Sequence, residues 1–270
     1  NGLPSNLVNK AIQDNRGYMW FATQGGLTRF DGYNFKNYDV LKGLPANEVK
    51  DLGIDKYGVI CILTPAGIAK LKNDRVEVLD IEDYPSDINE LKIDNNGIIW
   101  LSGEESLYFI KNDSIFSIHQ FIKDFDYKHL KIFLFDRNII WFGSSNGYFC
   151  LSFVNEKPEI VKAGLEGKII KTIFKDSRNF YWISTENNGL FFSKNCVVFH
   201  EYREISKSII VLNISEDHNG NLWFGTFNNG VFYLTKDNKI SYLKETNGYL
   251  IKFIFHDLLN RTWIITQMQG

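Results

Sequence analysis

Hydrophobic positions in this chain come in short runs, broken every few residues by Gly, Asn or Asp, and the runs themselves recur with a long period. Ile169-Ile170-Lys171-Thr172-Ile173-Phe174 and Ile209-Ile210-Val211-Leu212-Asn213-Ile214 are typical: each is followed by a polar turn and then by a second apolar run that carries a tryptophan. The six tryptophans, Trp20, Trp100, Trp141, Trp182, Trp223 and Trp263, are spaced by 80, 41, 41, 41 and 40 residues. The first interval is double the others. At its midpoint Asp55-Lys56-Tyr57-Gly58-Val59-Ile60-Cys61 matches Asp94-Asn95-Asn96-Gly97-Ile98-Ile99-Trp100, with Cys in place of Trp. Seven copies of one unit therefore fill the chain, and a period near 40 with a hairpin signal in each copy predicts propeller blades or a similar array.

Three residues before each Trp or Cys stands Gly17, Gly58, Gly97, Asn138, Asn179, Gly220 or Asn260. Gly and Asn tolerate positive φ, and an Asp three residues earlier can bond the turn backbone, so the pattern predicts a tight hairpin between a first strand and the Trp strand. The fourth copy has Asp136 only two before Asn138, one turn residue short. A second Gly or Ser, from Gly26 to Gly230 and finally Gly270, opens a third strand, and pairs such as Asp31-Gly32, Asn73-Asp74, Asn112-Asp113 and Lys194-Asn195 turn into a fourth, such as Val197-Val198-Phe199. The predicted fold is all-β: a seven-bladed β-propeller of four-stranded antiparallel blades, read as one domain over 1–270. Its blades fall near 8–41, 49–81, 88–121, 130–162, 169–203, 209–243 and 249–270, the last incomplete because the chain stops after its second strand. One helical turn is allowed between Ile81 and Leu91. In the Trp strands both faces are apolar, as in Leu222-Trp223-Phe224, which a sheet sandwiched between two neighbours requires. Small residues two beyond the Trp (Ala22, Ser102, Gly143, Ser184, Gly225) give way to Leu63 where Cys61 replaces Trp, an exchange of volume at a blade interface to which Trp263 with Ile265 is an exception. Gly43-Leu44-Pro45-Ala46-Asn47 repeats Gly2-Leu3-Pro4-Ser5-Asn6 as a connection between blades, so the chain is expected to be an excerpt of a longer polypeptide.

Composition narrows the function. The chain is 44% apolar and 15% aromatic, and 30 Lys plus Arg against 32 Asp plus Glu leave a formal charge of −2. No broad phosphate-attracting field follows, so no nucleic-acid partner is expected. No uncharged run of about 20 apolar residues is present, so this segment is not expected to insert into a membrane. Three cysteines, Cys61, Cys150 and Cys196, form no C-x-x-C and suit either a reducing compartment or an exported protein stabilised by its core.

The stretch from Gly2-Leu3-Pro4-Ser5-Asn6 through Asp14-Asn15-Arg16-Gly17-Tyr18-Met19-Trp20-Phe21-Ala22-Thr23 to Gly26-Leu27-Thr28-Arg29-Phe30-Asp31-Gly32-Tyr33 resembles the two-component regulator propeller repeat, as does Asp217-His218-Asn219-Gly220-Asn221-Leu222-Trp223-Phe224-Gly225-Thr226. That resemblance implies the first propeller of a periplasmic sensor in a Bacteroides-type hybrid two-component system. Such a protein is anchored in the inner membrane, recognises an oligosaccharide or other small ligand and signals to a histidine kinase. A second propeller and downstream sensor domains of the same polypeptide, and a homodimer, are the implied partners. The repeat residues build blades, so no ligand contact carries over from the family.

Gly143-Ser144-Ser145-Asn146-Gly147 satisfies G-x-S-x-G, yet it lies between two strands rather than before a helix and reads as a hairpin turn. Neither the histidines nor the cysteines show metal-ligand spacing, and Asp94-Asn95-Asn96-Gly97, like the opening of a calcium loop, lacks the downstream bidentate Glu. No catalytic residue, metal or cofactor is expected. The loops joining second to third and fourth to first strands share one rim, and the ligand-binding candidates there are Gln24, Lys42, Glu104, Glu105, Tyr127, His129, Asn187, Asn188, Phe227 and Asn228, whose amides, carboxylates and rings suit sugars. The rival readings are an enzyme resembling the propeller lyases, with His129 and Glu104 as the pair to test, and a protein-interaction or dimerisation propeller.

Overall fold

One carboxylate closes the first hairpin of nearly every repeat. In a computed structural model of the chain, which describes residues 2–111, 114–122, 128–154 and 157–267, Asp14 Oδ1 accepts the backbone N–H groups of Arg16 and Tyr18, both at 3.0 Å. Asp55, Asp94, Asp176, Asp217 and Asp257 do the same two and four residues ahead. The Gly or Asn in each of these turns lies in the left-handed region, from φ +59° at Asn260 to +87° at Gly17, which is why only those residue types recur there.

The hairpins open seven sheets. The first joins β1 (Val8–Gln13), β2 (Met19–Thr23), β3 (Gly26–Phe30) and β4 (Phe35–Tyr38); the second β5 (Asp51–Ile54), β6 (Ile60–Thr64), β7 (Gly67–Lys72) and β8 (Arg75–Val78); the third β9 (Ile88–Ile93), β10 (Ile99–Gly103), β11 (Leu107–Lys111) and β12 (Ser114–Ser117). The fourth joins β13 (Lys131–Asp136), β14 (Ile139–Ser144), β15 (Gly147–Val154) and β16 (Lys157–Gly164); the fifth β17 (Ile170–Lys175), β18 (Tyr181–Thr185), β19 (Leu190–Ser193) and β20 (His200–Glu201); the sixth β21 (Val211–Glu216), β22 (Leu222–Thr226), β23 (Val231–Leu234) and β24 (Ile240–Leu243). The seventh holds only β25 (Leu250–His256) and β26 (Thr262–Gln267). The fold is an all-β propeller with six four-stranded antiparallel blades rather than seven; the seventh copy contributes a two-stranded sheet. Three short 3-10 turns, Val40–Lys42, Ile118–Gln120 and Lys244–Thr246, are the helical elements among the described residues, so the turn allowed between Ile81 and Leu91 does not form.

The chain divides into two compact units, residues 1–135 with 153–159 and residues 136–152 with 160–270. Within the first, Trp20 and Ala22 of β2 face Ile60 and Ile62 of β6 across one seam, while Cys61 and Leu63 face Ile88, Leu91, Ile99 and Leu101 across the next. Alternate residues of one strand thus serve two neighbours, which explains why its polar alternation is lost. Cys61 and Leu63 occupy the places that Trp20 and Ala22 hold one seam earlier, as the volume exchange requires. Within the second unit, Trp182 meets Leu222 and Phe224, and Trp223 packs with Val231 against Ile251 and Ile254. Polar groups at the tenth residue before the Trp position stitch first strands together: Asp51 accepts Leu91 N–H at 2.9 Å, Glu90 accepts Ile132 N–H at 2.7 Å and Asn213 donates to Ile251 C=O at 3.1 Å.

Two local expectations are corrected. In the fourth copy β13 and β14 leave a turn of Arg137 and Asn138 alone, and it is Arg137, at φ +56°, that takes the left-handed conformation rather than Asn138. In the fifth copy the fourth strand is His200–Glu201, not Val197-Val198-Phe199, because Asn195 Oδ1 accepts from the N–H groups of Val197 and Val198 and holds that stretch as a loop.

Candidate functional site

The loops expected to meet a ligand are fastened from below. Thr23, Thr64, Ser144, Thr185 and Thr226 end their second strands, and each hydroxyl donates to the carbonyl of the glycine that opens the third, at 2.7–2.9 Å. The same oxygens accept loop N–H groups from Gly25, Asn146, Asn188 and Asn229. The Gly143-Ser144-Ser145-Asn146-Gly147 motif is one of these turns. On such footings Gln24 is exposed between β2 and β3, Asn187 and Asn188 between β18 and β19, and Phe227 and Asn228 between β22 and β23, with the Phe227 ring 44% exposed.

In the first unit the structure gathers three of the candidates. His129, at φ +52°, gives its backbone N–H to the Glu104 carbonyl, and Glu105 pairs with Lys128 at 3.1 Å. The pair singled out for catalysis is therefore adjacent, through the main chain, with both side chains exposed. The Lys42 ammonium donates to the Asn37 carbonyl and lies 5.8 Å from the Tyr38 ring, which Lys36 approaches at 5.4 Å. It borders an open cleft of about 650 Å³ together with Lys36, Tyr38, Asp74, Arg75 and Val76. Tyr127 lies outside the described residues.

Sequence reasoning missed two features. The first is what the repeat Asp does with its second oxygen. Oδ2 accepts the indole N–H of the Trp six residues on, at 3.0 Å for Asp14–Trp20, 3.3 Å for Asp94–Trp100 and 3.1 Å for Asp176–Trp182, Asp217–Trp223 and Asp257–Trp263. One carboxylate thus closes the turn and satisfies a buried donor. Burial opposes ionisation of Asp257, but bonds from Trp263 and Arg261 outweigh it and bring its pKa down to about 2. Trp141, whose copy is short by one turn residue, shows the converse: its Nε1 is buried without a hydrogen-bond partner among the described residues. Its Asp136 is turned to the next sheet instead, accepting Lys175 Nζ at 2.8 Å and the Tyr181 hydroxyl.

The second missed feature is a cleft between the first two sheets, at the end of their third-to-fourth strand turns, sharing Asp74 with the cleft that Lys42 borders. Arg16, Trp20, Arg29, Tyr57, Lys72 and Asp74 line it, with a volume of about 310 Å³. Its residues come from copies one and two, so no contiguous motif marks it; the signal available was that cations at Arg16, Arg29 and Lys72 fall in or beside turns of the same sheet end.

Residues 2–25 and 205–228 match the two component regulator propeller family. Those two segments are similar to the two-component regulator propeller repeat. Similarity of fold extends well beyond those two segments. The extracellular domain of a putative hybrid two component system from B. thetaiotaomicron matches 98% of the chain at a TM-score of 0.80 and 22% identity, and a second such domain from the same organism matches 98% at 0.76 and 21%. The chain spans 38% and 39% of those two structures. A streptogramin B lyase shares the fold at a TM-score of 0.79 and 17% identity, over 98% of this chain and 92% of its own. No curated protein sequence is significantly similar to the chain.

Proposed function

We propose that this propeller is the ligand-recognition module of an extracytoplasmic sensor, without catalysis of its own, and that it binds an oligosaccharide through loops bearing Gln24, Lys42, Glu104, Glu105, Tyr127, His129, Asn187, Asn188, Phe227 and Asn228. The observation that carries the reading is the regulator propeller repeat at residues 2–25 and 205–228, set in a fold that matches part of a longer extracellular domain of a putative hybrid two component system. In that setting the protein is anchored in the inner membrane, and binding passes through a second propeller and downstream domains to a histidine kinase. The signal arises because the ligand binds one arrangement of the assembly better than another; equal affinity would shift nothing. Thermal denaturation over a panel of oligosaccharides tests the claim. Ligand at 100 times its dissociation constant adds roughly 2.7 kcal/mol, a rise of several degrees, and flat curves across neutral and acidic panels would transfer the role to protein interaction.

A second reading rests on the adjacency of His129 and Glu104 and on the fold shared with streptogramin B lyase. It requires the chain to consume a streptogramin B in a chromatographic assay and to lose that activity in His129→Ala.

A further inference from the structure

The cleft between the first and second sheets collects positive charge in a chain whose formal net charge is −2. Arg16, Arg29 and Lys72 line it against one carboxylate, Asp74. That carboxylate is already committed: it accepts the Tyr38 hydroxyl at 2.6 Å and pairs with Lys36 at 3.0 Å and Arg29 at 3.1 Å. The Tyr38 bond, then the Lys36 bond, hold its pKa below the usual carboxylate value. Two further acids act on the arginines: Asp14, turned onto its own hairpin and Trp20, pairs with Arg16 Nη2 at 3.3 Å, and exposed Asp31 acts on Arg29 through charge.

Both arginines line the cleft and lie against the ring of Tyr18, their guanidinium carbons 5.2 and 4.7 Å from its centroid. Like charges repel, and a ring face offsets only part of that repulsion. A guanidinium carries five N–H donors, and Asp74 engages only the Nη1 end of Arg29. The other wall is the Asn73-Asp74 turn, where two consecutive residues that are not glycine lie at φ +50° and +63°. These are the values of the type I′ turn that a two-residue hairpin takes, for which Asn and Asp are favoured, and the turn sets Asp74 against its three partners. Side-chain amides of Asn15 and Asn73 and the Tyr57 ring, 78% exposed, complete the border.

We propose that this cleft binds an acidic saccharide, its carboxylate or sulfate seated between Arg16, Arg29 and Lys72 and its ring lying on Tyr57. The sugar class rests on the oligosaccharide reading above; the requirement for an anion rests on the cleft alone. The whole chain is titrated calorimetrically with an oligogalacturonate, a sulfated disaccharide, a neutral oligosaccharide and inorganic sulfate, at low salt and in 0.5 M sodium chloride. At least one acidic saccharide binds, weakens at high salt as exposed charges are screened, and binds roughly tenfold or more weakly to Lys72→Glu and to Arg16→Gln, since charge-assisted bonds are the strong ones. Lys72 is exposed, so Lys72→Glu should melt as the parent does, and that is checked first. Whether the carboxylated or the sulfated probe binds assigns the anion. Binding of neutral sugars only overturns the proposal and leaves the sensor reading standing. Acidic-saccharide binding that ignores both substitutions overturns it too, as does binding of inorganic sulfate without any saccharide. Silence from every saccharide removes both readings.

Discussion

If the Asp–Trp clasp is an energetic unit, equal substitutions in the fourth and fifth repeats should have unequal costs. Trp141 and Trp182 are both buried, at 2% and 3% exposure, and both are enclosed by aromatic rings: Trp141 by Tyr148 and Tyr181, Trp182 by Phe192, Tyr202 and Phe224. They differ in the indole N–H. Trp182 gives it to Asp176 Oδ2 at 3.1 Å, while Trp141 has no partner for it among the described residues. Replacing each with Phe removes similar volume, so the packing loss largely cancels in the comparison. The hydrogen bond does not cancel: one to a charged group contributes about 1.5–3 kcal/mol, and an unsatisfied buried donor costs about 1–3 kcal/mol. The two effects add in the comparison, so Trp182→Phe should destabilise by about 3 kcal/mol or more beyond Trp141→Phe, measured as the shift of the urea midpoint by circular dichroism at unchanged slope. A double-mutant cycle between Asp176→Asn and Trp182→Phe should return a coupling of about 1–2 kcal/mol. Equal costs for the two Phe variants, or a coupling near zero, would refute the clasp as a source of stability and leave it a geometric accident of the turn.

Other consequences can be measured separately. Gly230 sits at φ +68° with no room for a Cβ, which would strike the carbonyl and hydroxyl of Thr246; Gly230→Ala should cost about 2 kcal/mol or more and lower the melting temperature, and an unchanged melt would disprove the close approach. Because the Asp257 pKa is about 2 in the fold and about 3.9 when unfolded, its contribution is complete above the unfolded value and is lost as pH falls from about 4 through 2. Asp257→Asn should accordingly flatten the stability loss in that window, and an unaltered acid limb would contradict the assignment. Burial pushes the Cys61 thiol up to about 12 and raises Cys150 further, whereas Cys196 is only partly buried. Mass spectrometry after brief alkylation of the folded chain should find Cys196 modified first; early labelling of Cys61 or Cys150 would count against the packing at their seams.

The repeat was legible because a hairpin needs the same few residues each time it is made. Asp, then Gly or Asn, then Trp at fixed offsets is dictated by backbone donors and positive φ, and these are local requirements. Registers that depend on partners were harder to read. Val197-Val198-Phe199 has strand composition, yet the Asn195 side chain captures its N–H groups first, and only His200 and Glu201 reach the neighbouring strand. The clasp escaped notice because Asp was understood as a turn residue and Trp as an apolar one, and neither description includes the N–H that joins them. The six candidate positions in the first unit and the four in the second follow from strand order and side-chain type, which place suitable groups at one end of a sheet but say nothing about which of them enclose space. The cleft at Arg16, Arg29 and Asp74 is assembled from segments about 40 residues apart, and strand alternation carries no information about cation pairing across a seam.

The two-sided burial of the second strands has a further consequence. Ile60 and Ile62 look one way and Cys61 and Leu63 the other, so a single strand closes two adjoining interiors with alternate letters of its sequence. A fault at an odd position loosens one joint while its even neighbours keep the other shut, so harm stays local in the manner of a linear array with nearest-neighbour coupling. The second repeat accordingly carries a thiol in place of the indole and a leucine two residues on, both packed at the same seam.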